Sequence, residues 1–154
     1  MSSKFDSTLK QIQQVLNNAS DTETGVLDTM RIINIELPYY SWIGVYWLND
    51  SGDELFIGPY VGAETEHTKI PVGRGVCGTA VAENSNQLVD DVHELDNYIA
   101  CSLDVRSEIV VLIKNLDGKI IGQIDADSKL PGAFCKKDEA FLERVAKLIA
   151  SKKG

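Results

Sequence analysis

The sequence predicts an α+β domain: an antiparallel β-sheet flanked by helices. Three observations carry this expectation. Phe5, Leu9, Ile12, Val15 and Leu16 recur at helical spacing near one end of the chain, and Phe141, Leu142, Val145, Leu148 and Ile149 near the other. Two pairs of β-rich runs lie between them, each joined by a short turn at 50–53 and 115–118. Short turns make both pairs antiparallel, and the amphipathic helices must bury their apolar faces on the resulting sheet.

Taken in order, the first helix is expected over 5–18, where the run Asn18-Ala19-Ser20-Asp21 breaks it. Asp21 or Thr22 caps a second helix with Val26, Leu27, Met30, Ile33 and Ile35 facing inward, and Pro38 ends it. Residues 42–49 are aromatic and β-branched and read as a strand, with 54–61 returning. A polar loop over 62–67 leads to a short strand at 68–72. A short helix over 76–84 is stopped by Asn84-Ser85-Asn86, and 87–89 form a short strand. Residues 90–107 are mostly loop. The second hairpin joins 108–114 to 119–126 through Asn115-Leu116-Asp117-Gly118. Pairing Lys114 with Lys119 places Glu108 opposite Asp125. A loop over 128–136 precedes the last helix, whose terminal Lys152 and Lys153 complement the helix dipole.

The 154 residues suit one domain with a substantial core. It divides into N-terminal helices (1–37), sheet and site loops (38–135) and a C-terminal helix (136–152). Fifteen basic against 23 acidic residues give a formal charge of -8. Nucleic-acid and polybasic membrane surfaces need positive potential, so neither partner is expected. No apolar run approaches the roughly 18 residues of a spanning helix, and the N-terminal MSSKFDSTLKQ lacks the apolar core of a secretory signal. Three cysteines make a poor disulfide framework. The expected compartment is the cytoplasm, where cysteines are more often catalytic or inert than structural.

The chemistry concentrates between residues 70 and 108, a segment with little clean periodicity but too much Val, Ile and Leu for disorder. It reads as a lid or pocket wall. Gly73-Arg74-Gly75-Val76-Cys77-Gly78 is literally G-x-G-x-x-G, yet Pro71 in the lead-in and the short following helix contradict a dinucleotide site. The glycines instead suit a tight turn and close backbone approach. Cys77 falls at the expected start of the helix, where the dipole, with Arg74, lowers a thiol's pKa. Its alternative role is that of a small buried hydrophobe. Cys101 stands in a loop with the cation Arg106 in reach, a better setting for a nucleophile than a strand.

Glu108, Asp125 and Asp127 are expected on one strand face, because strand side chains alternate. Clustered carboxylates repel unless they are solvated, share a proton, or face a cation or ammonium group. A wet outer face without a role is the plain alternative. Trp42 and Tyr46, four apart on a strand, share a face as core residues or as the wall of a small-molecule site. His67, Cys77, His93 and Cys101 are zinc-ligand types at the wrong spacing for a structural site, so no metal and no cofactor is expected.

The segments SWIGVY, LFIGPY, KIPVGRGVCGTAV, QLVDDVHELDNYIAC, RSEIVV and GKIIGQIDADS resemble, in order and spacing, the free methionine-(R)-sulfoxide reductases. These are small cytosolic enzymes built on a GAF domain, and the likeness runs over 42–128. The resemblance implies that Cys101 is the nucleophile that attacks the sulfoxide sulfur and is left as a sulfenic acid. A second thiol then forms a disulfide that thioredoxin reduces. It implies Glu108 and Asp127 near the sulfoxide oxygen, which must be protonated, and Asp125 at the substrate ammonium. Trp42 and Tyr46 match the aromatic wall around the methyl-sulfur end. Many members carry a further cysteine ten residues before the GVCG cysteine; this chain has His67 there. Resolution then falls to Cys77 or to an external thiol, and Cys135 has no counterpart. A homodimer is what the family implies. The implied activity is L-methionine (R)-S-oxide reductase; the alternative is a GAF module that binds a small molecule or senses redox state without catalysis.

Overall fold

Ser3 opens the first helix, α1 (Lys4–Asn18), with a reciprocal cap: its hydroxyl accepts the Asp6 N–H at 3.1 Å and its own N–H donates to Asp6. Asp21 caps α2 (Thr22–Glu36) by accepting the Thr24 N–H at 2.8 Å. The computed structural model describes residues 3–94 and 104–153. Strands β1 (Trp42–Leu48), β2 (Glu54–Val61) and β3 (Lys69–Pro71) follow, then helix α3 (Gly75–Glu83), strand β4 (Gln87–Val89) and a 3-10 turn (Val92–Glu94). Strands β5 (Ser107–Lys114) and β6 (Ile120–Ser128) lead to the last helix, α4 (Lys136–Lys153). The strands form one antiparallel sheet in the order β3-β2-β1-β6-β5-β4. The α+β expectation is therefore met, with β3 shorter than 68–72.

Strand alternation sorts the sheet into two faces. Ile43 and Val45, Ile109, Val111 and Ile113, and Ile124 and Ala126 turn toward α1, α2 and α4. There they meet Leu9, Ile12, Leu16, Val26, Met30, Ile33, Phe141, Leu142, Val145 and Ile149, which form the main core. Trp42, Tyr46, Val110 and Leu112 point the other way, against Val76, Cys77 and Ala80 of α3. This second, smaller layer holds several of the candidate site residues.

Two local expectations are corrected. Ile35 was expected to face inward but is 71% exposed. The buried stripe of α2 runs through Val26, Met30 and Ile33, and two residues beyond Ile33 is a turn of about 200° around the helix. The β5–β6 register also differs. Glu108 pairs with Asp127, not Asp125, and Lys114 pairs with Ile120, not Lys119. Asn115 is the reason. Its N–H donates to the Lys119 carbonyl at 2.9 Å, and its side chain accepts the N–H groups of Asp117 and Lys119 at 3.0 Å, so the turn takes in both residues. A further irregularity between Ile113 and Lys114 adds one residue on β6. The total displacement is two residues, the period of a strand. The carboxylates therefore keep the face expected of them.

No helix among the described residues is long and apolar enough to cross a membrane.

Candidate functional site

The glycine-rich turn aims Cys77 at the sheet. The Gly73 N–H donates to the Gly78 carbonyl and the Gly78 N–H to the Arg74 carbonyl, both at 2.9 Å, closing the loop before α3. A Cβ on Gly78 would sit 2.5 Å from the Pro71 carbonyl oxygen, so only glycine permits this closure. Cys77 thus occupies the first turn of α3 and faces β5 and β6 across a cavity of about 10 Å³. Tyr46, His67, Arg74, Glu108 and Asp125 line the same cavity.

Cys77 Sγ stands 3.9 Å from Glu108 Oε2. Cys77, Glu108 and Asp125 each bring one ligand-type atom to within 4.8 Å of the others. All are buried, at 5%, 4% and 1% exposure, and Asp127 is buried at 1%. A solvated outer face for these carboxylates is thereby ruled out. The sheet places them there directly, since Glu108 pairs with Asp127 and Val110 with Asp125.

The electrostatics reverse one expectation. The helix start was expected to lower the Cys77 pKa; burial, then the charges of Asp125, Glu108 and Asp127, push it well above the ordinary thiol value. Burial and three neighbouring acids outweigh the dipole of α3. Asp125 is likewise raised, because burial penalises its charge more than hydrogen bonds with Glu108 and Cys77 favour it. Asp125 therefore holds its proton to higher pH than an ordinary carboxyl group. Asp125 Oδ1 is buried without a hydrogen-bond partner.

Tyr46 lines the cavity, Trp42 packs in the same apolar layer without lining it, and both anchor the loop above. Trp42 Nε1 donates to the Ala63 carbonyl at 3.0 Å while its ring stacks on Tyr60 at 5.3 Å. The Tyr46 hydroxyl donates to the His67 carbonyl at 2.9 Å. Both lie on the face that carries Cys77. Sequence reasoning missed Gln123, which is fully buried on this face with neither amide atom partnered. Its spacing of two from Asp125 was the available signal.

Cys101, the expected nucleophile, lies outside the described residues. Its expected cation, Arg106, holds Asp91 at 3.0 Å. That ion pair lowers the Asp91 pKa and raises that of Arg106. Cys135 is not at the cavity. It precedes α4, where its N–H and thiol lie 3.0 and 3.4 Å from Asp138 Oδ2. Asp138 Oδ1 accepts the hydroxyls of Tyr39 and Tyr40 at 2.6 and 2.8 Å. Burial first, and then Asp138, keeps both phenols protonated. Of the zinc-type residues, His67 lines the cavity, while His93 Nε2 lies 3.2 Å from the Val105 carbonyl. A wider groove of about 760 Å³, between the end of α3, β5 and α4, is lined by residues such as Leu112, Lys114, Leu116 and Glu143. It lacks a buried titratable cluster among the described residues.

Comparison with known proteins identifies the family of the fold. A family model described as GAF domain matches residues 20–151. The free methionine-R-sulfoxide reductase of Escherichia coli is 42% identical over 120 residues, 77% of this chain and 69% of the relative. The free methionine-R-sulfoxide reductase of Neisseria meningitidis, solved in complex with its substrate, superposes with a TM-score of 0.90 at 34% identity, covering 99% of this chain and 92% of that one. The fRMsr of Staphylococcus aureus, solved in a reduced form, gives 0.89 at 33% identity over 100% of both chains.

Proposed function

We propose that this chain, which belongs to the GAF-domain family, is a reductase of free methionine-(R)-sulfoxide. The observation that carries the reading is the buried trio of Cys77, Glu108 and Asp125 between α3 and the β5–β6 hairpin, under Trp42 and Tyr46. A thiol beside buried carboxyls is what the cycle needs next to a Cys101 nucleophile: a second sulfur to resolve the sulfenic acid and an acid to protonate the sulfoxide oxygen.

In this reading the Cys101 thiolate attacks the sulfoxide sulfur. With one proton taken up, methionine is released and Cys101 keeps the oxygen as a sulfenic acid. Glu108 and Asp127 face the sulfoxide oxygen and supply its proton. Asp125 is also the counter-charge for the substrate ammonium, and the aromatic wall receives the methyl-sulfur end. Cys77 then condenses with the sulfenic acid, releasing water and forming a Cys77–Cys101 disulfide, which thioredoxin reduces. Its high pKa makes it a poor spontaneous nucleophile, so Glu108, 3.9 Å away, serves as its base. The cavity of about 10 Å³ is smaller than methionine sulfoxide, so substrate entry requires the walls to part. The cytoplasm, a homodimer and an oxidoreductase cycle with a disulfide acceptor complete the proposal.

The test is a single turnover with the reduced protein and no external thiol. Wild-type protein releases one equivalent of methionine and forms one disulfide. Cys101→Ser releases none, while Cys77→Ser releases one equivalent and leaves a sulfenic acid that dimedone traps. Methionine release by Cys101→Ser sinks the assignment of the nucleophile. Ligand binding without methionine release from wild-type protein would favour the non-catalytic GAF module.

A further inference from the structure

The thiol of Cys77 and the carboxylates of Glu108 and Asp125 converge within 4.8 Å on a cavity the size of a single ion. We propose that this trio binds a soft divalent cation, Zn²⁺ or Cd²⁺, and that the bound ion excludes substrate from the pocket. The binding claim stands on the geometry alone; the exclusion claim rests on the reductase reading.

Four observations support the site. The donor set is thiolate plus carboxylate, which suits Zn²⁺ and Cd²⁺ and not Mg²⁺, an ion that keeps its waters and avoids sulfur. The donors are at least 95% buried, so an ion placed among them loses little to solvent screening. Asp125 Oδ1 is fully buried without a hydrogen-bond partner in a residue that lines the cavity. Asp127 adds a third buried acid to the face, and a dication offsets the mutual repulsion that these groups otherwise impose on each other.

The spacing is close to that of a coordination sphere. Sulfur and oxygen on a tetrahedral zinc lie about 3.5 Å apart, given the usual bond lengths. Cys77 Sγ and Glu108 Oε2 are 3.9 Å apart, and the widest pair in the trio is within 4.8 Å. Side-chain rotation closes that gap once an ion replaces repulsion with attraction. Binding displaces the thiol proton: Cys77–SH and M²⁺ give Cys77–S–M⁺ and H⁺, with no electron transferred. This donor set differs from the His67, Cys77, His93 and Cys101 combination weighed on sequence, and Cys77 alone is common to the two.

Cd²⁺ titrated into the reduced, metal-free full chain tests the site through the ultraviolet thiolate-to-metal charge-transfer band. The band is expected to saturate at one equivalent and to persist in a Cys101→Ser/Cys135→Ser double variant. It is expected to vanish in Cys77→Ser, and Asp125→Asn is expected to weaken Cd²⁺ on the order of 10- to 100-fold. Saturating free methionine sulfoxide should weaken apparent Cd²⁺ affinity. A band that survives Cys77→Ser, or is lost in the double variant, overturns the site. If Cys77→Ser fails to fold by circular dichroism, the near-isosteric Asp125→Asn and Glu108→Gln variants decide, and unchanged affinity in both overturns it. Turnover without Cd²⁺ binding removes this proposal and leaves the reductase; Cd²⁺ binding without turnover does the reverse. In an active protein, Cd²⁺ affinity indifferent to methionine sulfoxide removes the exclusion claim.

Discussion

Cys77 Sγ lies 3.9 Å from Glu108 Oε2, and burial together with the charge around that contact keeps the thiol protonated. At neutral pH, Cys77 is therefore expected to react with iodoacetamide more slowly than a model thiol. The rate should keep rising above pH 9, the ordinary thiol value, because the folded pKa lies higher. Asp125→Asn and Glu108→Gln each remove a negative charge and should accelerate the reaction at pH 8. Mass spectrometry of the Cys77 peptide in a Cys101→Ser background measures this. Acceleration by neither variant contradicts the electrostatic account.

Asp125 gives a stability prediction of defined sign. Its folded pKa is raised above 3.8 by burial, so the native state binds more protons than the unfolded chain just above that pH. The contribution is fully present below 3.8 and is lost as pH rises through the folded value. Asp125→Asn removes that loss. The variant should melt higher than wild type at pH 7, by about 2–4 °C for each kcal/mol relieved, with the gap closing toward pH 3.8. A lower melting temperature at pH 7 would mean that the charged form is stabilised in place.

Asp138 is expected to be a stability residue. It is 2% exposed, takes both tyrosine hydroxyls and accepts the Cys135 N–H before α4. Asp138→Ala leaves the buried Tyr40 hydroxyl without its acceptor and should cost about 1–3 kcal/mol. Asp138→Ala combined with Tyr40→Phe should recover part of that loss, read from urea midpoints. Turnover per folded molecule should stay near wild type, since none of these groups lines the cavity.

Gly78→Ala probes the turn. The new methyl would meet the Pro71 carbonyl at 2.5 Å, so α3 must shift or the loop must open. A destabilisation of about 1–3 kcal/mol is expected, together with a fall in kcat/KM as Cys77 moves away from Glu108. Gly52→Ala serves as control, because no atom lies within 4 Å of its Cβ; its positive φ of 75° is the sole strain. Loss of activity equal in the two variants would deny the turn a special role.

Much of the fold was legible because local signals agreed with one another. The helix cap at Asp21, the Asn115–Gly118 turn and the β-rich runs of β1, β5 and β6 each point to their own element. Carboxylate placement survived a two-residue register error, since strand faces repeat every two residues. Apart from the helix phase of Ile35 and the Asn115 register, what failed depended on neighbours distant in sequence. The sign of the Cys77 shift is set first by burial and then by Asp125 and Glu108, which the chain brings together only after β5 and β6 fold beneath α3. The burial of those acids, and of Gln123, follows from α3 covering the sheet, which no single stretch announces.

The most direct measurement follows NADPH consumption through thioredoxin reductase and thioredoxin. Free methionine-(R)-sulfoxide, free methionine-(S)-sulfoxide and a peptide-bound sulfoxide serve as separate substrates. The account predicts turnover of the free R form alone, abolished in Cys101→Ser and lost from the thioredoxin-coupled cycle in Cys77→Ser. No methionine from the free R form, with thioredoxin or with dithiothreitol, would contradict it.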